Sequence, residues 1–266
     1  MTGLRRRSAG ALVRSVSFLP FFPPRPGPVL ALLRFGNHRP MAHDSLNAIP
    51  AQVSDSIRSN NKVGLQSCEA AVAAEDRARA GLYGLLAALL RDVPSEGLLA
   101  QVCSLDAAAG RDGFALAWEG LRLAAGEVSP GEADDEYHRL FIGLGRGELV
   151  PYGSWYQTGF LMELPLGALR RDLAALGFQR EPGVHEPEDH VAALCEVMAQ
   201  LALDPDIAPK IALERQRDFY RAHLAPWIGR FCRDLETVPG APLYGAVGRL
   251  AAVFFELEGR YLEMEA

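Results

Sequence analysis

The sequence predicts an all-α fold, a single globular domain of about nine helices with a long loop at mid-chain. Three observations carry this. From Glu69 onward, large apolar residues recur at three- and four-residue spacing, the mark of a core-facing helical stripe. No stretch alternates apolar and polar residues over several positions between turn signals, so no sheet is expected. No repeat with a period of 20–50 residues is visible, so a solenoid is not expected either.

The elements follow in order. Residues 1–68 stand apart as an N-terminal extension and linker, and residues 69–266 form the helical domain. Leu82, Leu85, Leu86, Leu89 and Leu90 make the first stripe, which should stop near Pro94. Ser95 suits the N-cap of a short helix carrying Leu98, Leu99, Val102 and Leu105. A third helix runs over 113–127, with Phe114, Trp118, Leu121 and Ala125 aligned. A fourth opens at Pro130 with Glu132, Asp134, Asp135 and Glu136 in its early turns, where the helix dipole favours acids. Its apolar face is Tyr137, Leu140, Phe141 and Leu144. Residues 143–159, "GLGRGELVPYGSWYQTG", read as the one long non-helical break. Helices are expected to resume over 158–176, 187–203, 209–224, 226–235 and 242–264.

Composition narrows the function. The formal net charge of −6 hides an asymmetry, because residues 1–40 carry seven arginines and no acid. The remainder holds 20 basic against 33 acidic side chains. Such a body is poorly suited to phosphate backbones, which need clustered Lys and Arg, and better suited to a basic partner such as an arginine-bearing peptide. In residues 1–40 the apolar runs are broken by Arg14, Pro20, Pro23, Pro24 and Arg34, well short of the roughly 20 residues that span a bilayer. Met41 opens a different, polar composition and reads as the start of translation, with residues 1–40 an over-extended frame or a disordered tail. Residues 42–67 are rich in Ser, Asn and Gln and read as a lead-in. The four cysteines (Cys68, Cys103, Cys195, Cys232) form no C-x-x-C pair, which favours reduced thiols in a cytosolic protein.

Residues 183–195, "GVHEPEDHVAALC", invite a metal reading that the spacing opposes. A zincin helix sets its histidines four apart on one face, whereas His185 and His190 are five apart, about 140° around a helix, with Pro187 between. No Glu-x-x-His pair of the di-iron kind is present. Capping explains more. Pro187 suits the first helical position, Glu186 the N-cap, and Glu188 and Asp189 the first turn. Val191, Leu194, Cys195 and Met198 then form the buried stripe. His190 sits where the dipole disfavours an imidazolium. A neutral ring bonded to Asp189 or Glu186, lining a cleft, is the expectation.

Residues 151–159, "PYGSWYQTG", bring Tyr152, Trp155 and Tyr156 into five positions, a density suited to gripping peptides or bases, or to pinning a loop into the core. Ser154 lacks the G-x-S-x-G setting of a hydrolase nucleophile. The "GLGRGE" stretch at 143–148 follows a helix and lacks the Gly-Lys-Ser/Thr ending of a phosphate loop.

Three ordered motifs resemble the TorD/DmsD/NarJ family of redox-enzyme maturation chaperones. They are E-Y-x-x-L-F at Glu136, Tyr137, Leu140 and Phe141; P-Y-x-S-x-Y at Pro151, Tyr152, Ser154 and Tyr156; and E-P-x-D-H at Glu186, Pro187, Asp189 and His190, continued less closely by Leu194, Glu196 and Met198. The similarity runs from about Ala70 to Tyr261. It implies a cytoplasmic all-helical chaperone that is not an enzyme and carries no cofactor of its own. Such a protein binds the twin-arginine signal peptide and apoenzyme of a molybdenum-cofactor oxidoreductase before cofactor insertion and export. The binding residues carried over are Tyr137, Phe141, Tyr152, Ser154, Tyr156, Glu186, Asp189 and His190. The stretch at 141–163 looks most like members associated with formate dehydrogenase. Guanine nucleotide or the molybdopterin cofactor are further transient partners on this reading, with the protein a monomer or a domain-swapped dimer. The alternative from another class is a helical protein that binds a small ligand or guanine nucleotide, with weak or no catalysis.

Overall fold

The computed structural model describes residues 74–106, 110, 112–143, 147–180, 184–203 and 209–264, together with the backbone of residues 14–16. Among the described residues there are ten α-helices. They are α1 (74–91), α2 (Glu96–Ser104), α3 (Gly113–Glu127), α4 (Pro130–Tyr137), α5 (Gly153–Thr158), α6 (Leu164–Ala175), α7 (Val191–Ala202), α8 (Pro209–His223), α9 (Ile228–Thr237) and α10 (Pro242–Met264). The all-α class is as expected, with one more helix than counted from the sequence.

The starts of α2, α3 and α4 obey capping chemistry. The Leu98 amide donates to Ser95 Oγ at 3.2 Å and the Ala115 amide to Asp112 Oδ1 at 2.8 Å. Ser129 and Glu132 form a reciprocal capping box before Pro130. The fourth helix does not run on as a plain α-helix. It widens into a π-helical turn at His138–Ile142, and Gly143 ends it at φ 57°. Gly147 then crosses the turn so closely that a Cβ there would lie 2.6 Å from the Phe141 carbonyl carbon. That close approach, not phosphate binding, explains this glycine. Leu144 lies outside the described residues.

Helix α10 is the spine of the core, packing most extensively on α9 and α3. Leu243, Tyr244, Val247, Leu250, Ala251, Phe254, Phe255 and Leu262 are its buried stripe. Helix α7 is buried on nearly every face, from Val191 to Ala202, as befits a central helix. One polar cluster crosses this interior. Arg79 of α1 donates to Glu258 of α10 (Nε–Oε2 2.8 Å) and to Gln216 of α8 (2.7 Å), and Tyr83 donates to the same Glu258 (3.1 Å). Each charge is paired, as burial demands.

Three expectations need correction. The mid-chain break is not wholly irregular, because Gly153–Thr158 form α5. The following helix begins at Leu164 instead of Thr158, since Gly159 (φ 83°) and Met162 (φ 61°) turn the chain first. Helix α7 begins at Val191, four residues after the proposed start at Pro187. His190 is its N-cap, and Pro187 belongs to a turn in which its carbonyl accepts the His190 amide at 3.2 Å. A short parallel pairing of Arg14–Val16 with Phe178–Arg180 (β1 and β2) accompanies the helical body. The rest of the N-terminal extension, with Cys68, lies outside the described residues.

Candidate functional site

The first turn of an α-helix leaves amide donors without intrahelical partners. The starts of α5 and α7 meet and solve this problem for each other. Tyr152 and His190 form an antiparallel bridge, in which the Gly153 amide donates to the Asp189 carbonyl and the Val191 amide to the Pro151 carbonyl, both at 2.9 Å. The Asp189 side chain then caps α5 from outside, Oδ2 accepting the Ser154 amide at 2.7 Å. This places a carboxylate at the positive end of that helix. His190 caps its own helix, Nδ1 accepting the Ala192 amide at 3.2 Å. Its ring stands edge-on to Tyr152, with centroids 5.0 Å apart.

The His190 ring is therefore neutral, with its proton on Nε2. Burial pushes its pKa down to about 4, and Arg91 nearby acts in the same direction. Neutrality was expected, but the partner is a backbone amide and not Asp189 or Glu186. Arg91 closes α1 and makes an ion pair with Glu196 of α7. Burial lowers its pKa to about 10, and its carbonyl accepts the Tyr137 hydroxyl at 2.6 Å.

A groove of about 490 Å³ opens beside this seam, between α6, β2 and the approach to α7. Leu173, Phe178, Ala192, Ala193 and Val197 give it an apolar floor, and Arg91, His185, Glu186 and His190 line it too. Glu188 at its edge is already bound to Arg170 at 2.8 Å. Burial raises the Glu186 pKa, helped by Asp189, and Glu186 forms no ion pair with another described residue.

The sequence-derived residues thus divide. Tyr152, Ser154, Asp189 and His190 form one seam, with Glu186 on the adjoining rim. Tyr137 adjoins it through the Arg91 carbonyl and lies within electrostatic reach of Glu186. Phe141 packs on Tyr137 and Tyr244 in the core. Tyr156 turns to α9, where its hydroxyl donates to Asp234 at 2.9 Å and its ring lies against Trp227 and Phe231. Arg91 and Phe178 were missed. Arg91 reads in sequence as an ordinary cation at a helix C-terminus, and Phe178 as a residue between helices. Among the described residues no three His, Cys, Asp or Glu side chains are grouped to hold a metal ion, and no helix is long and apolar enough to cross a membrane.

Comparison with known proteins places this site in context. Residues 108–233 match the family model of the nitrate reductase delta subunit. Curated relatives include the chaperone protein TorD of Vibrio cholerae, 32% identical over 130 residues, covering 47% of this chain and 59% of the relative. TorD of Vibrio parahaemolyticus is 24% identical over 134 residues, covering 48% and 62%. The matched region therefore spans under two thirds of either relative's length. A solved structure described as that of a redox enzyme maturation protein from Archaeoglobus fulgidus overlaps at TM-score 0.39 and 21% identity, covering 70% of this chain and 93% of that one. The family match holds all three motifs, the whole Tyr152–His190 seam and Glu186, so residues 108–233 of this chain are similar to that family where the motifs lie.

Proposed function

We propose that this protein is a cytoplasmic chaperone for the maturation of a molybdenum-cofactor oxidoreductase. It binds the client's twin-arginine signal peptide and apoenzyme before cofactor insertion and export, and formate dehydrogenase is the client class that the 141–163 stretch favours. The observation carrying this reading is the family match over 108–233, which contains every motif on which the resemblance rests. The site's chemistry supports it. An apolar-floored groove with a carboxylate on its rim suits an apolar segment beside a guanidinium, whose fork fits a carboxylate in two hydrogen bonds. The seam beneath is rigid because both helix starts are capped into it.

The test is calorimetry on the full chain with leader peptides of candidate molybdenum enzymes. Binding is expected, and Glu186→Gln should weaken it about tenfold, or ~1.4 kcal/mol. Glu186 is only partly covered and forms no ion pair with another described residue, so the melting temperature should move little. If no leader gives heat and no client co-purifies, this reading fails.

A further inference from the structure

Strand β2 forms one wall of the groove of about 490 Å³, since Phe178, Gln179 and Arg180 all line it. A strand edge presents a row of amides and carbonyls, ready to pair with any extended chain. Among the described residues β1 takes that edge, in the register Arg14↔Phe178, Ser15↔Gln179 and Val16↔Arg180. Strand β1 also lies against α7, the helix whose Ala192, Ala193 and Val197 floor the groove. The N-terminal segment thus meets the site at two of its walls.

Composition fits the same place. Arg5, Arg6 and Arg7 open the segment, and Leu12, Val13 and Val16 follow, interrupted by Arg14. Those are the residue types that the groove is proposed to take from a client. A segment tethered in the same chain competes at an effective concentration near the millimolar range, so weak intrinsic affinity is enough. A pairing of three residues is also easily displaced, because an isolated two-stranded ladder is marginal in water.

We infer that the segment ending in β1 is an intramolecular cover of this groove, held by strand addition to β2, and that a client must displace it. It is a regulatory part of the chain and adds no second client site. The inference rests on the chaperone reading, and it makes residues 1–16 working chain, against the expectation of a start at Met41. Apparent affinity scales with the uncovered fraction, so a cover closed about 80% of the time weakens client binding about fivefold.

The double variant Ser15→Pro, Val16→Pro tests this in the full chain, because proline removes backbone donors and breaks a ladder. Both positions lie outside the helical domain, so the melting temperature should hold. The variant should bind a peptide of two arginines followed by five leucines about fivefold more tightly than wild type. Amides of residues 178–180 should exchange faster with deuterium in the variant. A synthetic peptide of residues 5–16, added in trans, should restore the slower exchange and the weaker binding. Equal affinity in the two proteins, or unchanged exchange at 178–180, overturns the cover and leaves the chaperone reading standing. No binding of the arginine–leucine peptide by either protein overturns both. A concentration-dependent dimer that the double variant abolishes would assign β1 to a second copy and overturn the inference. So would an N-terminus at Met41 in the protein recovered from its own cells.

Discussion

At the residue scale, His190 is the group whose protonation the fold opposes most directly. Its Nδ1 must stay unprotonated to cap α7, and burial holds its folded pKa at about 4 against an ordinary value near 6.5. Between those values the unfolded chain binds a proton that the folded chain refuses, so stability falls as pH drops from about 6.5 to 4. The full loss is on the order of 3 kcal/mol. His190→Asn keeps a capping oxygen without the titration, so its urea-unfolding curve should lose that part of the pH slope. Half of this residue's role is legible in the sequence. The dipole at a helix start disfavours an imidazolium, which points to a neutral ring. Its partner could not be read, because Pro187 and three acids mimic a helix start that the chain delays by four residues. Asp189 was legible as a first-turn acid, but it caps a helix 35 residues earlier, a pairing that spacing along one segment does not encode.

At the element scale, long stripes were legible and short or irregular pieces were not. The bounds 242–264 for α10 coincide with the structure, since Pro242 opens a stripe of ten buried residues. Helix α5 escaped notice because it has only six residues and its cap lies in another element. The α9–α10 contact illustrates what backbone proximity demands. A Cβ at Gly248 would lie 2.8 Å from the Leu235 carbonyl carbon. Gly248→Ala should therefore destabilise by about 2 kcal/mol through overpacking, despite alanine's better helix propensity. Gly167, on α6, has nothing within 4 Å of such a Cβ. There the same substitution should stabilise by up to about 1 kcal/mol, and urea unfolding of both variants tests the opposite signs.

At the scale of the whole molecule, the buried Arg79–Glu258–Gln216 cluster joins α1, α8 and α10. Removing Glu258 takes two carboxylate bonds from buried Arg79 and leaves it only Asp76 and Gln216, so Glu258→Ala should cost about 3 kcal/mol. In a domain of this size that lowers the melting temperature by roughly 10 °C. The pair of changes Arg79→Met and Glu258→Leu should recover most of the loss, which separates a stranded charge from lost packing. The overall class followed from sequence because helical periodicity is local. The cluster did not, since it joins residues 179 apart that show no mutual signal along the chain.

That separation also has a meaning in time. A ribosome adds about 5–20 residues per second, so Arg79 precedes Glu258 by roughly 10–40 s. During that interval Arg79 has Asp76 of its own helix as partner but lacks the buried carboxylate of Glu258 that seals it into the core. The nascent chain must wait with its leucine stripe uncovered until α10 arrives. A protein proposed as the guardian of an unfinished enzyme thus passes through its own unguarded interval, ended by its final helix.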